Sequence, residues 1–271
     1  MQQHQIGFVG AGNMAAALLQ GLVRAGSIRP EHIRVSDVDG AKRDQLAKRH
    51  GVGTALENRE LASWATILIL AVKPQSLPVA LGECSEGLNP RALVVSVAAG
   101  VRCAQLAAAL PSTARLVRAM PNAPAFVSAG ATALCAGPNA TPADLELARS
   151  LFDAVGRSVV VDETHMDAVT GLSGSGPAYV MVVIEALTDG GVRAGLPRDT
   201  AFFLAAQTVL GSARLLLDSG DHPAQWKDRV TSPGGTTSAG LEAIESGRLR
   251  HTLIRAVRLA TLRAKELGGS S

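Results

Sequence analysis

The chain is poor in aromatic residues, which make up 3% of its 271 residues. Proteins that bind single-stranded nucleic acid stack bases on aromatic side chains, so this scarcity argues against that class. A large excess of one charge is also missing, because 26 basic residues against 23 acidic ones leave a formal net charge of +3. These nearly equal numbers of basic and acidic residues do not provide the basic surplus that duplex binding requires. We therefore expect no nucleic-acid partner.

Cysteine is scarcer still, and the three that occur, Cys84, Cys103 and Cys135, lie far apart in the sequence. An odd number without paired ligand spacing encodes neither a disulfide framework nor a zinc site. The six histidines are equally scattered, with no pair four residues apart. We therefore expect the cysteines to be buried apolar fillers, and we predict no metal site.

Targeting and membrane segments are not evident either. The first five residues, MQQHQ, lack the charged start and apolar core of a signal peptide, and we expect no stretch long enough to cross a bilayer. Hydrophobic residues make up 47% of the chain and charged residues 18%, a composition typical of a folded globular protein. We expect a cytoplasmic protein without a membrane partner.

What the chain does contain is an alternation of short apolar runs with helical patterns over residues 5–162. This alternation predicts βαβ units and a parallel sheet. Strands are predicted at residues 6–10, 33–37, 66–72, 92–97, 116–120, 129–134 and 158–161, and helices at residues 13–25, 41–50, 103–109 and 142–155. After residue 162 only helical patterns follow, at residues 177–195, 197–220 and 248–267.

The predicted fold class is therefore α/β, with two domains. Residues 1–162 form a Rossmann-type dinucleotide-binding domain with a mostly parallel sheet, and residues 163–271 form an all-α domain. The later helices carry apolar residues over most of their circumference, among them Phe202, Phe203, Leu204, Leu210 and Leu217. Such helices need partners on several sides, either within their own domain or from a second copy, and we favour a homodimer.

A glycine motif opens the first predicted helix. Residues 10–15, GAGNMA, follow the first strand and read as G-x-G-x-x-A, a permitted form of the dinucleotide fingerprint. Gly10 would make the tight turn, Gly12 would let the backbone approach a pyrophosphate, and Ala15 would let the helix pack against the strand. The position between strand and helix makes this motif specific.

The second predicted strand ends in an acidic residue, Asp37. A carboxylate at this position binds ribose hydroxyls and repels the 2′-phosphate of NADP, whereas Ser36 with Lys42 or Arg43 could accept that phosphate. The residues alone therefore leave the choice between NADPH and NADH open. An ordinary helix cap is the other interpretation of Asp37.

Two further strand ends carry small residues suited to a cleft. They are residues 71–74, AVKP, and residues 97–100, VAAG. Ligands of open α/β sheets bind outside the carboxyl ends of the strands, so these segments should line the nicotinamide half of the site. Lys73 is either a cation beside a proline turn, which we favour, or a catalytic base.

Near the end of the chain, residues 232–237, SPGGTT, run directly into a helical pattern. The first backbone N–H groups of a helix have no intrahelical partner, so this loop could hold a carboxylate or phosphate. An ordinary helix cap is the alternative. We call residues 232–237 the SPGGTT loop.

Taken together, six segments of the chain closely resemble pyrroline-5-carboxylate reductase. They are residues 6–15 (IGFVGAGNMA), 71–74 (AVKP), 95–100 (VSVAAG), 118–122 (RAMPN), 171–179 (GLSGSGPAY) and the SPGGTT loop. The similarity runs in order from residue 5 to about residue 267, and its last two segments are the specific ones.

The resemblance implies reduction of 1-pyrroline-5-carboxylate to L-proline by NADPH or NADH, the last step of proline biosynthesis. It also implies a helical dimerisation domain and, in many relatives, further assembly into decamers. By position, it implies cofactor contacts at Val9, Gly10, Ala11, Gly12, Asn13, Met14, Asp37, Asn58, Ala71, Val72, Lys73, Pro74, Val97, Ala98 and Ala99. It implies substrate contacts at Glu163, Arg229, Thr236 and Thr237, with Ser232 and Gly235 in the same loop.

The residues agree with imine chemistry. Hydride transfer from an alcohol needs a base, and the substrate-side segments offer none. A cyclic imine is already electrophilic and needs mainly to be oriented beside the nicotinamide. We predict that Thr237 is the catalytic residue and hydrogen-bonds the imine nitrogen, while N–H groups of the SPGGTT loop bind the substrate carboxylate.

Two other classes of protein remain as alternatives. A related imine reductase or a β-hydroxyacid dehydrogenase would have a similar layout, but the latter is expected to carry a lysine after its second glycine motif, and residues 171–194 contain none. A non-catalytic NAD(P)-binding sensor would need only the first domain and dimerisation. An assay with pyrroline-5-carboxylate and both cofactors separates the three.

Overall fold

The computed structural model describes residues 1–269, so the last two residues of the predicted second domain lie outside the described part of the chain. The backbone divides into two compact units. The first unit contains residues 1–175 together with residues from 258 onward, and the second unit contains residues 176–257. The functional boundary that we place near residue 163 stays a prediction.

The first unit is built on one sheet of eight strands. They are β1 (Ile6–Val9), β2 (Ile33–Ser36), β3 (Gly53–Thr54), β4 (Ile67–Leu70), β5 (Leu93–Ser96), β6 (Arg115–Met120), β7 (Gly130–Ala136) and β8 (Gly156–Val160). Their order across the sheet is β3-β2-β1-β4-β5-β6-β7-β8, and all neighbours are parallel except β6 and β7. The predicted, mostly parallel sheet is confirmed.

Helices flank this sheet. They are α1 (Asn13–Arg24), α2 (Gly40–His50), α3 (Asn58–Trp64), α4 (Leu77–Ser85), α5 (Cys103–Ala108), α6 (Pro142–Phe152) and α7 (Met166–Val169). The Thr141 side chain caps α6 by accepting from the backbone N–H of Asp144 at 3.2 Å, with Pro142 in the first helical position. A single π-helical turn, Thr170–Gly174, follows α7.

The core has two parts, one on each face of the sheet. Alternation along β4 shows the division, because Ile67 and Ile69 belong to one cluster and Leu68 and Leu70 to the other. All four side chains are fully buried. Burying one such side chain stabilises the folded state by about 1.5–3 kcal/mol. A sheet that is covered on both faces needs apolar side chains on both faces, and this explains the continuous apolar runs in the sequence.

Two glycines permit close approaches at the edge of the sheet that carries β7 and β8. A Cβ built on Gly21, in α1, would lie 2.0 Å from Cγ1 of Val155. A Cβ built on Gly156 would lie 1.9 Å from the carbonyl oxygen of Gly130, its register partner in β7. Neither position has room for a larger residue, so both contacts depend on glycine.

The second unit is entirely helical within the part of the chain that the structure describes. Its helices are α8 (Gly176–Arg193), α9 (Arg198–Ser219), α10 (Pro223–Arg229), α11 (Thr236–Ser246) and the first half of α12 (Leu249–Leu267). The helices α8 and α9 pack against each other. Between them, Gly191 and Ala201 approach closely, since a Cβ on Gly191 would lie 2.9 Å from the Ala201 side chain.

Much of the apolar surface of α8 and α9 is exposed in the single chain. The exposed residues include Met181, Val182, Leu187, Phe202, Phe203, Leu204, Leu210 and Leu217. Large exposed apolar patches mark interaction surfaces. The sequence prediction that these helices need further partners therefore agrees with the structure.

The expectation that no stretch is long enough to cross a bilayer is wrong for α9. The helix α9 has 22 residues, with a mean hydropathy of 1.4 in its most apolar window, and only 11% of that window is buried. By its length and composition alone, α9 is able to cross a bilayer. A single helix of this kind is weak evidence for a membrane protein. The charged residues of α9 lie towards its two ends, and its middle is therefore apolar enough for a membrane span.

Candidate functional site

The carboxyl ends of four parallel strands lie side by side. In the sheet register, Val9 pairs with both Ser36 and Leu70, and Leu70 pairs with Ser96. The loops that leave these strands therefore start at one edge. The switch point lies at this edge, since β2 and β4 flank β1, and open α/β sheets bind ligands there.

The first of these loops is the glycine motif after β1. Gly10 has φ +102°, and a Cβ on it would lie 2.8 Å from the carbonyl oxygen of Ala71. Gly12 caps α1 without any side-chain hydrogen bond. The first N–H groups of α1 are therefore presented without a competing cap, which is the arrangement that binds a pyrophosphate. Ala15 is fully buried, as the fingerprint predicts.

Asp37 holds this loop from the end of β2. Its Oδ2 accepts a hydrogen bond from the backbone N–H of Ala11 at 2.6 Å, and its Oδ1 accepts from the N–H of Asp39 at 2.8 Å. The carboxylate thus fixes the glycine motif, and its predicted contact with the ribose stays a prediction. An N-cap role for Asp37 is wrong for α2, which Asp39 caps.

The two cations that we considered for a 2′-phosphate are each paired with an acid. Lys42 Nζ lies 3.1 Å from Asp39, and Arg43 Nε lies 2.8 Å from Asp44. Both partners of the Lys42–Asp39 pair are exposed, and exposed ion pairs contribute little, so Lys42 can turn to another anion, whereas the Arg43 side chain is only 14% exposed. The arrangement leaves room for both cofactors.

A cavity of about 320 Å³ lies beside Asp37. It is lined by Asp37, Val38, Leu56, Glu57, Asn58, Arg59, Glu83 and Glu86. Val38 and Leu56 are exposed apolar side chains that could flank an adenine ring. The size and position suit the adenosine end of a dinucleotide.

A chain of side-chain hydrogen bonds supports one wall of this cavity. Ser36 Oγ donates to Asn58 Oδ1 at 2.6 Å, and Asn58 Nδ2 donates to Glu83 at 2.7 Å. Ser36 is buried, so its hydroxyl holds α3 in place. The use of Ser36 as a phosphate ligand stays a prediction. The hydrogen bond from Ser36 to Asn58 disfavours it. Sequence reasoning missed the other lining residues, Val38, Leu56, Glu57, Arg59, Glu83 and Glu86, since no motif marks them.

The remaining predicted cofactor residues follow β4 and β5. Ala71 N donates to the Val9 carbonyl at 2.8 Å, and Val97 N donates to the Leu70 carbonyl at 3.1 Å, so both loops continue the sheet ladder. Lys73 is exposed and precedes a short turn at Pro74–Ser76. Whether Lys73 has a structural role or a catalytic one stays a prediction.

Glu163 has partners within the first unit. Its Oε1 accepts from the backbone N–H of Cys103 at 2.6 Å and from the guanidinium of Arg118 at 3.0 Å. Burial opposes ionisation of this carboxyl, but the hydrogen bonds outweigh it and lower the pKa of Glu163. Its predicted contact with substrate stays a prediction.

Two cysteines lie beside Glu163. Cys103 and Cys135 are buried, with their sulfurs 4.0 Å apart. Their mutual hydrogen bond and burial raise the pKa of the Cys103 thiol. The third cysteine, Cys84, is also buried, and burial raises its pKa to about 12. The prediction that all three are buried is confirmed.

In the second unit, the SPGGTT loop leads into α11. Gly234 has φ +66°, and Gly235 caps the helix without a side-chain hydrogen bond. A Cβ on Gly235 would lie 2.3 Å from Ser232 Oγ. The first N–H groups of α11 are thus presented without a side-chain cap, while glycine is itself a common N-cap residue, so both interpretations of the loop stay open.

Thr236 and Thr237 occupy the first two positions of α11, where Thr236 is exposed and Thr237 is half-buried. Arg229, at the end of α10, pairs with Asp221 at 2.9 Å and stacks 4.6 Å above the Trp226 ring. These partners fix Arg229 within its own unit. Its predicted role towards substrate stays a prediction.

Two family models match the chain. The model described as pyrroline-5-carboxylate reductase dimerisation matches residues 163–267, and the model described as NADP oxidoreductase coenzyme F420-dependent matches residues 5–100. The first covers the predicted helical domain, including the SPGGTT loop. The second covers the glycine motif and the loops that follow β2, β4 and β5.

Whole-chain comparisons agree with these matches. A pyrroline-5-carboxylate reductase of Methanosarcina acetivorans is 46% identical, over 99% of both chains. A solved pyrroline-5-carboxylate reductase of Coxiella burnetii superposes with a TM-score of 0.92 at 38% identity, covering 100% of both chains. The pyrroline carboxylate reductase of Plasmodium falciparum, solved with NADP bound, gives 0.89 at 31% identity, covering 99% of each. With a dinucleotide-type strand edge, an uncapped glycine loop and similarity over its whole length, the chain belongs to the pyrroline-5-carboxylate reductase family.

Proposed function

We propose that this protein reduces the cyclic imine 1-pyrroline-5-carboxylate to L-proline with hydride from NADPH, and that NADH can serve as the donor as well. The observation that carries the proposal is the 46% identity, over 99% of both chains, to an enzyme of that name. The site is consistent with it, because the glycine motif fits a pyrophosphate and the SPGGTT loop fits a carboxylate. A bound NADPH would supply the hydride.

The residues of the first unit suit such a donor. Gly10 lies where any side chain would meet the Ala71 carbonyl, and Gly12 leaves the first N–H groups of α1 without a side-chain hydrogen bond. Asp37 is placed to accept from ribose hydroxyls while it holds Ala11. The loops after β4 and β5 would line the nicotinamide half.

The residues of the second unit suit the substrate. The first N–H groups of α11 would bind the carboxylate, assisted by the helix dipole. Thr237 would hydrogen-bond the ring nitrogen and orient the C=N bond. In the reaction, hydride adds to the carbon of that bond and a proton is added at nitrogen, which yields the secondary amine. We assign no general base, since imine reduction needs none.

An assay of reduced-cofactor oxidation tests the activity. Purified protein should oxidise NADPH and NADH with 1-pyrroline-5-carboxylate and form L-proline in equal amount, identified by chromatography. The matched control is 1-pyrroline, which lacks the carboxylate and should be reduced much more slowly. Absence of proline would contradict the proposed activity. Equal rates with both imines would mean that the SPGGTT loop does not bind the substrate carboxylate.

The cofactor preference can be tested at Asp37. Asp37→Ser should raise the ratio of NADPH to NADH efficiency about tenfold, because removal of a carboxylate ends its repulsion of the 2′-phosphate, worth about 1.4 kcal/mol. Both efficiencies should also fall, since Ala11 loses its acceptor. The ratio of kcat/KM values measures the effect.

A suitable control is Glu31→Ser, which removes the same charge from the turn before β2, at the opposite end of that strand. Its cofactor ratio should stay unchanged. A ratio that does not move in Asp37→Ser either would mean that the carboxylate does not face the ribose.

The description of the dimerisation family model supports a homo-oligomer. We propose a cytoplasmic homodimer formed through the exposed apolar residues of α8 and α9, with a decamer as a further assembly, and with neither nucleic acid nor membrane as a partner. The apolar middle of α9 would then be covered by a second copy.

Leu210, which is 60% exposed in the single chain, tests this interface. Leu210→Asp should weaken the dimer at least about tenfold, since a charge would be buried twice in a symmetric contact. Sedimentation velocity over a range of concentrations measures it. Val79→Asp, an equally exposed position in α4, is the control and should leave the dimer intact. A dimer that tolerates Leu210→Asp would place the interface elsewhere.

A further inference from the structure

Three potential metal ligands converge in the first unit although they lie far apart in the sequence. Cys103 begins α5, Cys135 lies in β7, and Glu163 starts the turn before α7. Their ligand atoms all lie within 4.8 Å of one another, and the two sulfurs are 4.0 Å apart. We infer that Cys103, Cys135 and Glu163 form a binding site for a thiophilic divalent ion such as Zn²⁺.

The spacing is close to what a tetrahedral ion requires. With Zn–S bonds of about 2.3 Å, two sulfurs on one ion lie about 3.8 Å apart. The observed separation of 4.0 Å differs from this by a few tenths of an ångström. Zn–O bonds of about 2.0 Å bring oxygen and sulfur to about 3.5 Å, so a carboxylate oxygen within 4.8 Å of both sulfurs must move by no more than about 1.3 Å. Small side-chain rotations provide such shifts.

The charges balance when an ion binds. Binding breaks two S–H bonds, forms two metal–sulfur bonds and releases two protons to solvent, with no oxidation or reduction. The two thiolates and the Glu163 carboxylate then carry three negative charges. The ion and the Arg118 guanidinium, whose side chain is only 3% exposed, carry three positive ones. Since the pair of neutral thiols with the Glu163–Arg118 ion pair is also neutral overall, binding creates no net buried charge.

The surroundings of the site also suit a metal. Arg118 and the backbone N–H of Cys103 both donate to Oε1 of Glu163, which orients the carboxylate as outer hydrogen bonds commonly do for metal ligands. A carboxylate offers about four lone-pair sites, so two accepted hydrogen bonds leave capacity for an ion. The Glu163 side chain is 34% exposed while both cysteines are buried, so the carboxylate marks the route from solvent.

The consequence for the protein lies in what the ion would connect. Cys103 follows the loop after β5, whose residues 97–99 are predicted to line the nicotinamide half of the cofactor site. An ion held by Cys103, Cys135 and Glu163 would tie the start of α5 to β7 and to the turn before α7. Three protein ligands would leave the fourth position for water, as in zinc sites that exchange ligands.

Titration of the full-length, chelator-treated and reduced protein with Co²⁺ tests this inference. One Co²⁺ per chain should give the sulfur-to-metal charge-transfer absorption in the near ultraviolet and the visible bands of a tetrahedral ion, and Zn²⁺ should displace it. Zn²⁺ should also raise the thermal midpoint, as any ligand of the folded state does.

The variants make the assignment specific. Cys103→Ser and Cys135→Ser should each abolish the charge-transfer band, Glu163→Gln should weaken Co²⁺ binding at least about tenfold, and Cys84→Ser should leave it unchanged. Circular dichroism checks that each variant is folded. A wild-type protein without the band, or a band that survives in the Cys103 and Cys135 variants, would overturn the site.

Discussion

Thr237→Ala should lower kcat for 1-pyrroline-5-carboxylate by about 10- to 100-fold. The physical reason is the loss of one hydrogen bond to a ring nitrogen whose charge changes during hydride transfer, worth about 1.5–3 kcal/mol for a bond to a charged group. Since Thr237 is the second residue of α11 and only half-buried, alanine should not disturb the fold. Steady-state kinetics with saturating NADPH measures the change.

Three comparisons separate a role for the hydroxyl from a role for the loop. Thr237→Ser keeps the hydroxyl and should recover most of the turnover, whereas Thr237→Val keeps the shape and should not. Thr236→Ala, one residue earlier and more exposed, should change KM more than kcat. Wild-type kcat in the Thr237→Ala and Thr237→Val variants would remove Thr237 from the mechanism.

Gly156→Ala should reduce the free energy of unfolding by at least about 3 kcal/mol, which is in the range of the most damaging single substitutions. The added Cβ would lie 1.9 Å from the Gly130 carbonyl oxygen and 2.5 Å from the Gly130 nitrogen. Both are backbone atoms, so no side-chain rotation can relieve the overlap, and the ladder between β7 and β8 must separate. Chemical denaturation followed by circular dichroism measures the loss.

The matched control for that substitution is Gly82→Ala. Gly82 is exposed in α4, and a Cβ there would meet nothing within 4 Å. Alanine is favoured over glycine inside a helix by about 0.5–1 kcal/mol, so this variant should be slightly more stable than the wild type. Equal stabilities for the two variants would show that β8 is not held tightly against β7.

The sequence was informative where hydrophobic pattern and local geometry agree. The predicted strand at residues 33–37 became Ile33–Ser36, and the helix at residues 197–220 became Arg198–Ser219. The helix at residues 142–155 ends at Phe152, because a short turn, Asp153–Val155, leads into β8 and places Gly156 beside β7. In each case a continuous apolar pattern with a clear break specifies the element.

Other elements left no such pattern. The strand β3 has two residues, both exposed, so it has no hydrophobic signature. The helices α3 and α4 have seven and nine residues, and no side chain caps either of them. Their formation depends on packing against each other and the sheet rather than on local preference. The antiparallel pairing of β6 with β7 is likewise a property of tertiary structure.

The candidate sites divide in the same way. The glycine motif and the SPGGTT loop are contiguous, so their residues could be found by reading the chain. The group of Cys103, Cys135 and Glu163 could not, since zinc motifs are recognised by short spacing and these residues come from separate elements. The cavity beside Asp37 was missed for the same reason, because three of its eight lining residues, Asn58, Arg59 and Glu83, belong to the unpredicted helices α3 and α4.

The hydrogen bond between Asp37 and the Ala11 N–H limits how this protein can change its cofactor. This carboxylate keeps the phosphate-binding turn in shape, and in our proposal it also discriminates between the two ribose types. A mutation of Asp37 that shifts the preference towards one cofactor therefore also loosens the turn that both cofactors need. In evolution or in protein engineering, a complete exchange of cofactor preference would need a second substitution that restores support for the turn. The order of the two substitutions would therefore matter.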